Sequence, residues 1–136
     1  MGNMKETDFP VYTVNKPIEE IRFFLRDLKQ LEKHLGSHAD KIRILDESTV
    51  EIHDDTMGKV QAKLYEITEN DYSLQPDFSK FMPNHALTLK IHLSMNPDDV
   101  KKTDIDLSLE HDLPFFMVPL LKTTLKETFQ KFFSSL

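Results

Sequence analysis

Two stretches near the end of the chain alternate apolar and polar residues one by one. In Ala86–Met95, Leu87, Leu89, Ile91, Leu93 and Met95 take one side and Thr88, Lys90, His92 and Ser94 the other. In Thr103–Asp112, Ile105, Leu107 and Leu109 oppose Asp104, Asp106, Ser108 and Glu110. A period of two is that of a strand with one buried and one wet face, and the NPDD between the two is a turn signal. Gly58–Ile67 repeats the pattern, with Val60, Ala62 and Leu64 inward. Shorter β-branched and aromatic runs predict strands over Phe9–Val14, Lys41–Leu45, Thr49–Asp54 and Tyr72–Asp77, the last ended or forced to an edge by Pro76.

The period changes in two places. After Asn15, a good helix cap, and Pro17, suited to a first turn, the residues Ile18, Ile21, Leu25, Leu28 and Leu31 recur at helical spacing, extended by Phe24 and Leu35. Glu19 and Glu20 complement the positive end of that helix, and Gly36 is its expected stop. The chain closes with a second helical pattern opened by Pro114. There Val118, Leu121, Leu125, Phe129 and Phe132 form one stripe, flanked by Phe116, Leu120 and Phe133, with a kink expected at Pro119. The order is strand, helix, about six strands, long helix. A sheet with one apolar face must be covered, and these two helices are available to cover it.

Three segments carry a resemblance. VNKPIEEIRFFLRDLKQLEKHL looks like a strand end, proline and amphipathic helix; MGKVQAKLYEI like a strand after a Met-Gly turn; DIDLSLEHDLPFFMVPLLKTTLKETFQKFF like a last strand passing through proline into a long helix. In that order they resemble the START-like, or SRPBCC, superfamily, whose members include birch-pollen allergens, lipid-transfer domains, polyketide cyclases and chaperone-activator domains. The short, uncharacterised bacterial members are the most similar. The resemblance implies an α+β helix-grip fold over residues 1–136 as one domain. A curved antiparallel sheet of about six to seven strands would wrap around the long C-terminal helix, with a second helix after the first strand. It further implies a cavity between sheet and C-terminal helix, used for an apolar or amphipathic small molecule. It does not imply an enzyme, because one fold hosts many functions.

Composition narrows the field. The chain has 136 residues, 29% of them charged, a net charge of -6 and no cysteine. No disulfide, thiolate metal site or cysteine nucleophile exists. The acidic balance, without a basic stripe, argues against nucleic-acid binding. The start MGNMKETDFP lacks the basic-then-apolar pattern of a secretory signal, so a cytoplasmic location is the expectation. The apolar run Leu113–Leu121 is less than half the about 20 residues a membrane span needs, and Lys122, Lys126, Glu127 and Lys131 follow it. A helix lying on a membrane surface stays open if its lysines line one polar face. Only three glycines are present, and neither a Gly-x-Ser-x-Gly elbow nor a phosphate-cradling loop occurs.

Among groups that carry chemistry, His111 keeps the parity of Leu107 and Leu109 and should point inward, as an acid, a base, a hydrogen-bonder for a ligand, or a strand-end histidine with an ordinary partner. Glu66 shares the parity of Leu64 and is the other candidate general acid or base, with exposure at the strand end as the alternative. Asp54 has inward parity or a turn role. His34 and His38 have the spacing of two ligands on one helical face, but Gly36 between them points instead to a helix end, and neither a metal nor a cofactor is expected. His53 and His92 point outward, and His85 lies in a loop near a cavity mouth. Tyr12, Tyr65 and Tyr72 are packing residues that can offer a hydroxyl. The expected ligand wall comprises Phe24, Leu89, Ile91, Leu107, Leu109, Phe116 and Leu120, with Tyr72, His111 and Glu66 fixing orientation. Phe78, Phe81 and Met82 would gate the mouth, meet a protein partner, or fold back on the core. Three functions follow: binding of a small hydrophobic or amphipathic molecule first, then a cyclase or dehydratase using His111 or Glu66, or a protein-interaction module. A monomer or weak dimer is expected.

Overall fold

The computed structural model describes residues 5–35, 42–54, 58–77 and 86–134. The chain runs β1 (Lys5–Asp8), β2 (Tyr12–Val14), α1 (Ile18–Arg26), α2 (Leu28–Leu35), β3 (Ile42–Ile44), β4 (Thr49–Asp54), β5 (Gly58–Thr68), β6 (Asp71–Pro76), β7 (Leu87–Met95), β8 (Thr103–His111) and α3 (Val118–Ser134). The strands form one curved antiparallel sheet of eight, ordered β1-β8-β7-β6-β5-β4-β3, with β2 also paired to β8. The fold class is therefore the α+β helix-grip arrangement.

The alternating stretches behave as their period requires. In β8, Thr103, Ile105, Leu107, Leu109 and His111 are all buried, and in β7 Leu87, Leu89 and Leu93 join them. The register sets Leu89 opposite Leu109 and Ile91 opposite Leu107, so one continuous apolar face runs across the central strands. Phe9 is also buried, and its backbone N–H donates to the Leu107 carbonyl at 3.1 Å between β1 and β2. Beneath this face sit Ile18, Ile21, Phe24, Leu28 and Leu31, all buried. Thr103 fastens the entry to α1 by donating its hydroxyl hydrogen to the Lys16 carbonyl at 2.7 Å.

Three helix boundaries differ from the sequence expectation, and β1 is a strand that it did not contain. The first helical pattern is two helices, because Asp27 is extended, at φ -143° and ψ 95°. Its carboxylate accepts from the Lys29 N–H at 3.1 Å, while Leu28 N–H bonds to Glu47. Asp27-Leu-Lys-Gln30 has the Asp-x-x-Gln spacing of a helix start, hidden here inside an unbroken apolar stripe. Asp27→Ala is expected to cost about 1 kcal/mol, as for loss of a cap, read as a lower urea midpoint at constant slope. Secondly, Pro17 rather than Asn15 is the cap position of α1, with no side-chain cap bond. Thirdly, the last helix begins at Val118, not Pro114: residues 115–117 form a turn, and Pro119 falls in the first helical turn, where its missing N–H leaves nothing unpaired. Gly36, the expected stop of the first helix, lies outside the described residues.

Candidate functional site

Helices α1 and α2, on either side of Asp27, and the inner face of the sheet border a common space. An apolar cavity of about 110 Å³ lies there. Helices α1 and α2 supply Ile21, Phe24, Leu25, Leu28 and Leu31 to its wall. The outer strands supply Ile42, Ile44, Val50, Ile52, Leu64 and Leu74. The central hairpin adds Leu89, Ile91, Leu93, Ile105 and Leu107. Among the described side chains of α3, Phe133 reaches the wall. Its ring packs on Tyr12 of β2, with centroids 5.0 Å apart, and the Tyr12 hydroxyl donates to the Lys126 carbonyl at 3.3 Å. Val118, Leu121 and Leu125 rest on the core beside it, half-buried. The space is therefore chiefly between sheet and α1–α2, with α3 closing one side.

Among the described residues every lining side chain is a hydrocarbon. These side chains offer no hydrogen bond, no charge and no group that moves a proton, and surface of this kind excludes water.

The polar candidates sit elsewhere. His111 is 1% exposed. The Leu113 N–H donates to its Nδ1 at 3.3 Å, so Nδ1 is unprotonated, and Nε2–H is left to donate to Thr7 Oγ1 at 3.2 Å. Burial, helped by the nearby Lys5 ammonium, holds its pKa below the ordinary value against the opposing pull of Asp112. His111 points inward, as its parity requires, but does not reach the cavity wall. It joins β1, β8 and the segment leading to α3.

Tyr72 is 2% exposed, and its hydroxyl donates to the Glu69 carbonyl at 3.3 Å, with Glu66 Oε1 at 3.5 Å. Burial raises its pKa, and the Glu66 charge adds to that. Glu66 pairs with Tyr72 across β5 and β6, so it does keep inner-face parity. It lies beyond the covered part of the sheet, next to a register shift between Glu66 and Thr68, and there meets Arg26 of α1 at 2.8 Å. Its side chain is exposed, and it acts as a rim contact for α1. Arg22, one turn earlier, bonds through Nε to Asn70 at 3.1 Å and through Nη1 to Glu19 at 2.9 Å, fixing the same helix to the β5–β6 turn.

Of the expected wall, Phe24, Leu89, Ile91 and Leu107 line the cavity. Leu109 is buried in the core away from it. Phe116 and Leu120 do not line it: they are 65% and 75% exposed. Phe116 lies in the turn before α3, and in the helix Val118, Leu121 and Leu125 take the inward face, which leaves Leu120 outward. Missing from the expected wall were Phe133 and most of the contributions from α1, α2 and β3 to β6. Their periodicity marked them as core, and nothing local in a sequence separates a core position beside a void from one in a filled interior.

His34 packs its ring 5.1 Å from Phe24. His53 and His92 are held by Glu51 at 2.8 Å and Asp71 at 2.7 Å. His38, His85, Phe78, Phe81, Met82 and the Asp54 side chain lie outside the described residues. Among the described residues there is no group of three or more metal-ligating side chains, and no helix is long and apolar enough to cross a membrane.

No family model matches this chain, and no curated protein matches it in sequence. Its fold is shared widely. Norcoclaurine synthase from Thalictrum flavum, solved with dopamine and hydroxybenzaldehyde, superposes with a TM-score of 0.67 at 16% identity, covering 98% of this chain and 86% of that one. An uncharacterized protein from Bacillus thuringiensis gives 0.63 at 8% identity, covering 98% of each chain. The Aha1 dimer from Colwellia psychrerythraea gives 0.61 at 14% identity, covering 97% of this chain and 96% of that one. At these identities the likeness is one of fold, the START-like helix-grip fold.

Proposed function

We propose that this chain reversibly binds a small hydrophobic or amphipathic molecule in the cavity between its sheet and helices. The observation that carries the reading is about 110 Å³ of space whose described lining side chains are all hydrocarbon. Native proteins rarely leave such space without use, because each unfilled volume forfeits packing contacts. The solved neighbour that holds dopamine and hydroxybenzaldehyde supports a small-molecule role for this fold, at the level of architecture only. A cyclase or dehydratase reading has less support, since His111 and Glu66, its two candidate acid–base groups, do not border the cavity.

Native mass spectrometry of freshly purified protein, followed by denaturing extraction, tests the proposal. The expected result is a discrete small molecule at stoichiometric level, or uptake of one from a set of apolar additives. A protein that stays at its bare mass through every preparation and every additive would overturn it.

A further inference from the structure

We infer that the enclosed part of the ligand is a compact hydrocarbon group of about benzene size, carrying no hydrogen-bonding atom inside the wall. The inference rests on the cavity reading above and narrows it. Two independent observations lead to it. Among the described residues the lining contains no side-chain nitrogen, oxygen or sulfur. In addition, among the described residues no buried side-chain polar atom lacks a partner. The buried polar side chains Tyr72, Thr103 and His111 are all engaged with protein groups, at 3.3 Å, 2.7 Å and 3.2–3.3 Å. A polar atom carried into this space would give up its water and gain nothing in return, a loss of roughly tenfold or more in affinity.

The volume sets the size. An apolar cavity of about 150 Å³ stays dry and accepts benzene or xenon. At about 110 Å³ this one is somewhat smaller and is partly open, so a single six-membered ring or a short branched alkyl group fills the walled part, and a fused second ring projects from it or displaces the wall.

Benzene and pyrazine test the class, because they share a ring shape, and pyrazine's two nitrogens lie opposite each other, so no orientation keeps both outside. Protein labelled at Ile, Leu and Val methyls is titrated with each, then with naphthalene. Benzene is expected to shift the methyls of Ile44, Val50, Leu89 and Leu107, pyrazine to bind at least about tenfold more weakly, and naphthalene to bind no tighter than benzene. Val50→Leu, which adds a methylene to the wall, is expected to weaken benzene binding while the protein stays folded. Pyrazine equal to benzene, or naphthalene tighter than benzene, overturns this ligand class and leaves the cavity reading standing. No methyl shift with any ring, or benzene binding unchanged in Val50→Leu, overturns the cavity reading itself.

Discussion

Leu107→Ala is expected to destabilise the protein by about 2–5 kcal/mol, toward the upper end of that range. Leu107 is 0% exposed, faces Ile91 across the central hairpin, and already borders empty space. Truncating it removes its transfer free energy and merges a new void with the existing one. The wall opposite cannot collapse inward without pulling α1 off the Arg22 and Arg26 contacts that hold it to the β5–β6 turn. Leu120→Ala removes the same atoms from a position 75% exposed and should change stability by no more than about 0.5 kcal/mol. Urea unfolding of the two variants at unchanged slope measures the contrast. Equal losses would mean that α3 packs differently from the arrangement described. The same truncation should also let naphthalene into the enlarged cavity of Leu107→Ala, provided the protein remains folded.

Much of the fold was legible because it is written in alternation. The β7–β8 pair, with Leu89 opposite Leu109 and Ile91 opposite Leu107, could hardly be buried on any other face. Parity also placed His111 inward and His92 outward. What periodicity could not convey was where the cover ends. Glu66 has the inward parity of Val60, Ala62 and Leu64, yet it lies past the rim of the covering helix, where a carboxylate meets Arg26 rather than a ligand. Lys5–Asp8 is a strand whose four residues are all polar; it forms because β8 offers it a free edge, which is a tertiary fact and not a local one. At Asp27 two signals competed. The apolar stripe continued in phase through the residue while the Asp-x-x-Gln spacing called for a new start, and the backbone followed the cap.

The separation of polar and apolar groups that results has a functional consequence. Tyr72, Thr103 and His111 are buried, but each is consumed in joining elements: Tyr72 to the β5–β6 turn, Thr103 to the entry of α1, His111 to β1 and the approach to α3. Among the described residues these bonds leave no polar side-chain atom on the cavity wall. For the binding proposed above, selection would rest on volume and dryness, and selectivity of that kind is modest per methylene, about 1–3 kcal/mol.

His111 also makes the shell sensitive to acid. Its folded-state pKa is lowered below the usual value near 6.5, chiefly by burial and then by Lys5, so the neutral form is the one the native state prefers. Above that unfolded value neither state carries the proton and the full stability is present. As pH falls through 6.5 the unfolded chain takes up the proton first, and stability declines until the folded pKa is reached, with a limiting slope of about 1.4 kcal/mol per pH unit from this one group. Protonation at Nδ1 would also break the bond from the Leu113 N–H, so the approach to α3 is where loosening should begin. His111→Gln cannot titrate and keeps an amide donor for Thr7. It is expected to be about 1–2 kcal/mol less stable at pH 7.5, because the Leu113 N–H loses its acceptor, yet to fall less steeply than the parent protein between pH 6.5 and pH 5. The two proteins differ in this one side chain, so the difference between the two urea-midpoint curves isolates His111. Curves that stay parallel across that range would show that His111 is protonated equally in the folded and unfolded chain, and that its two bonds do not depend on the neutral ring.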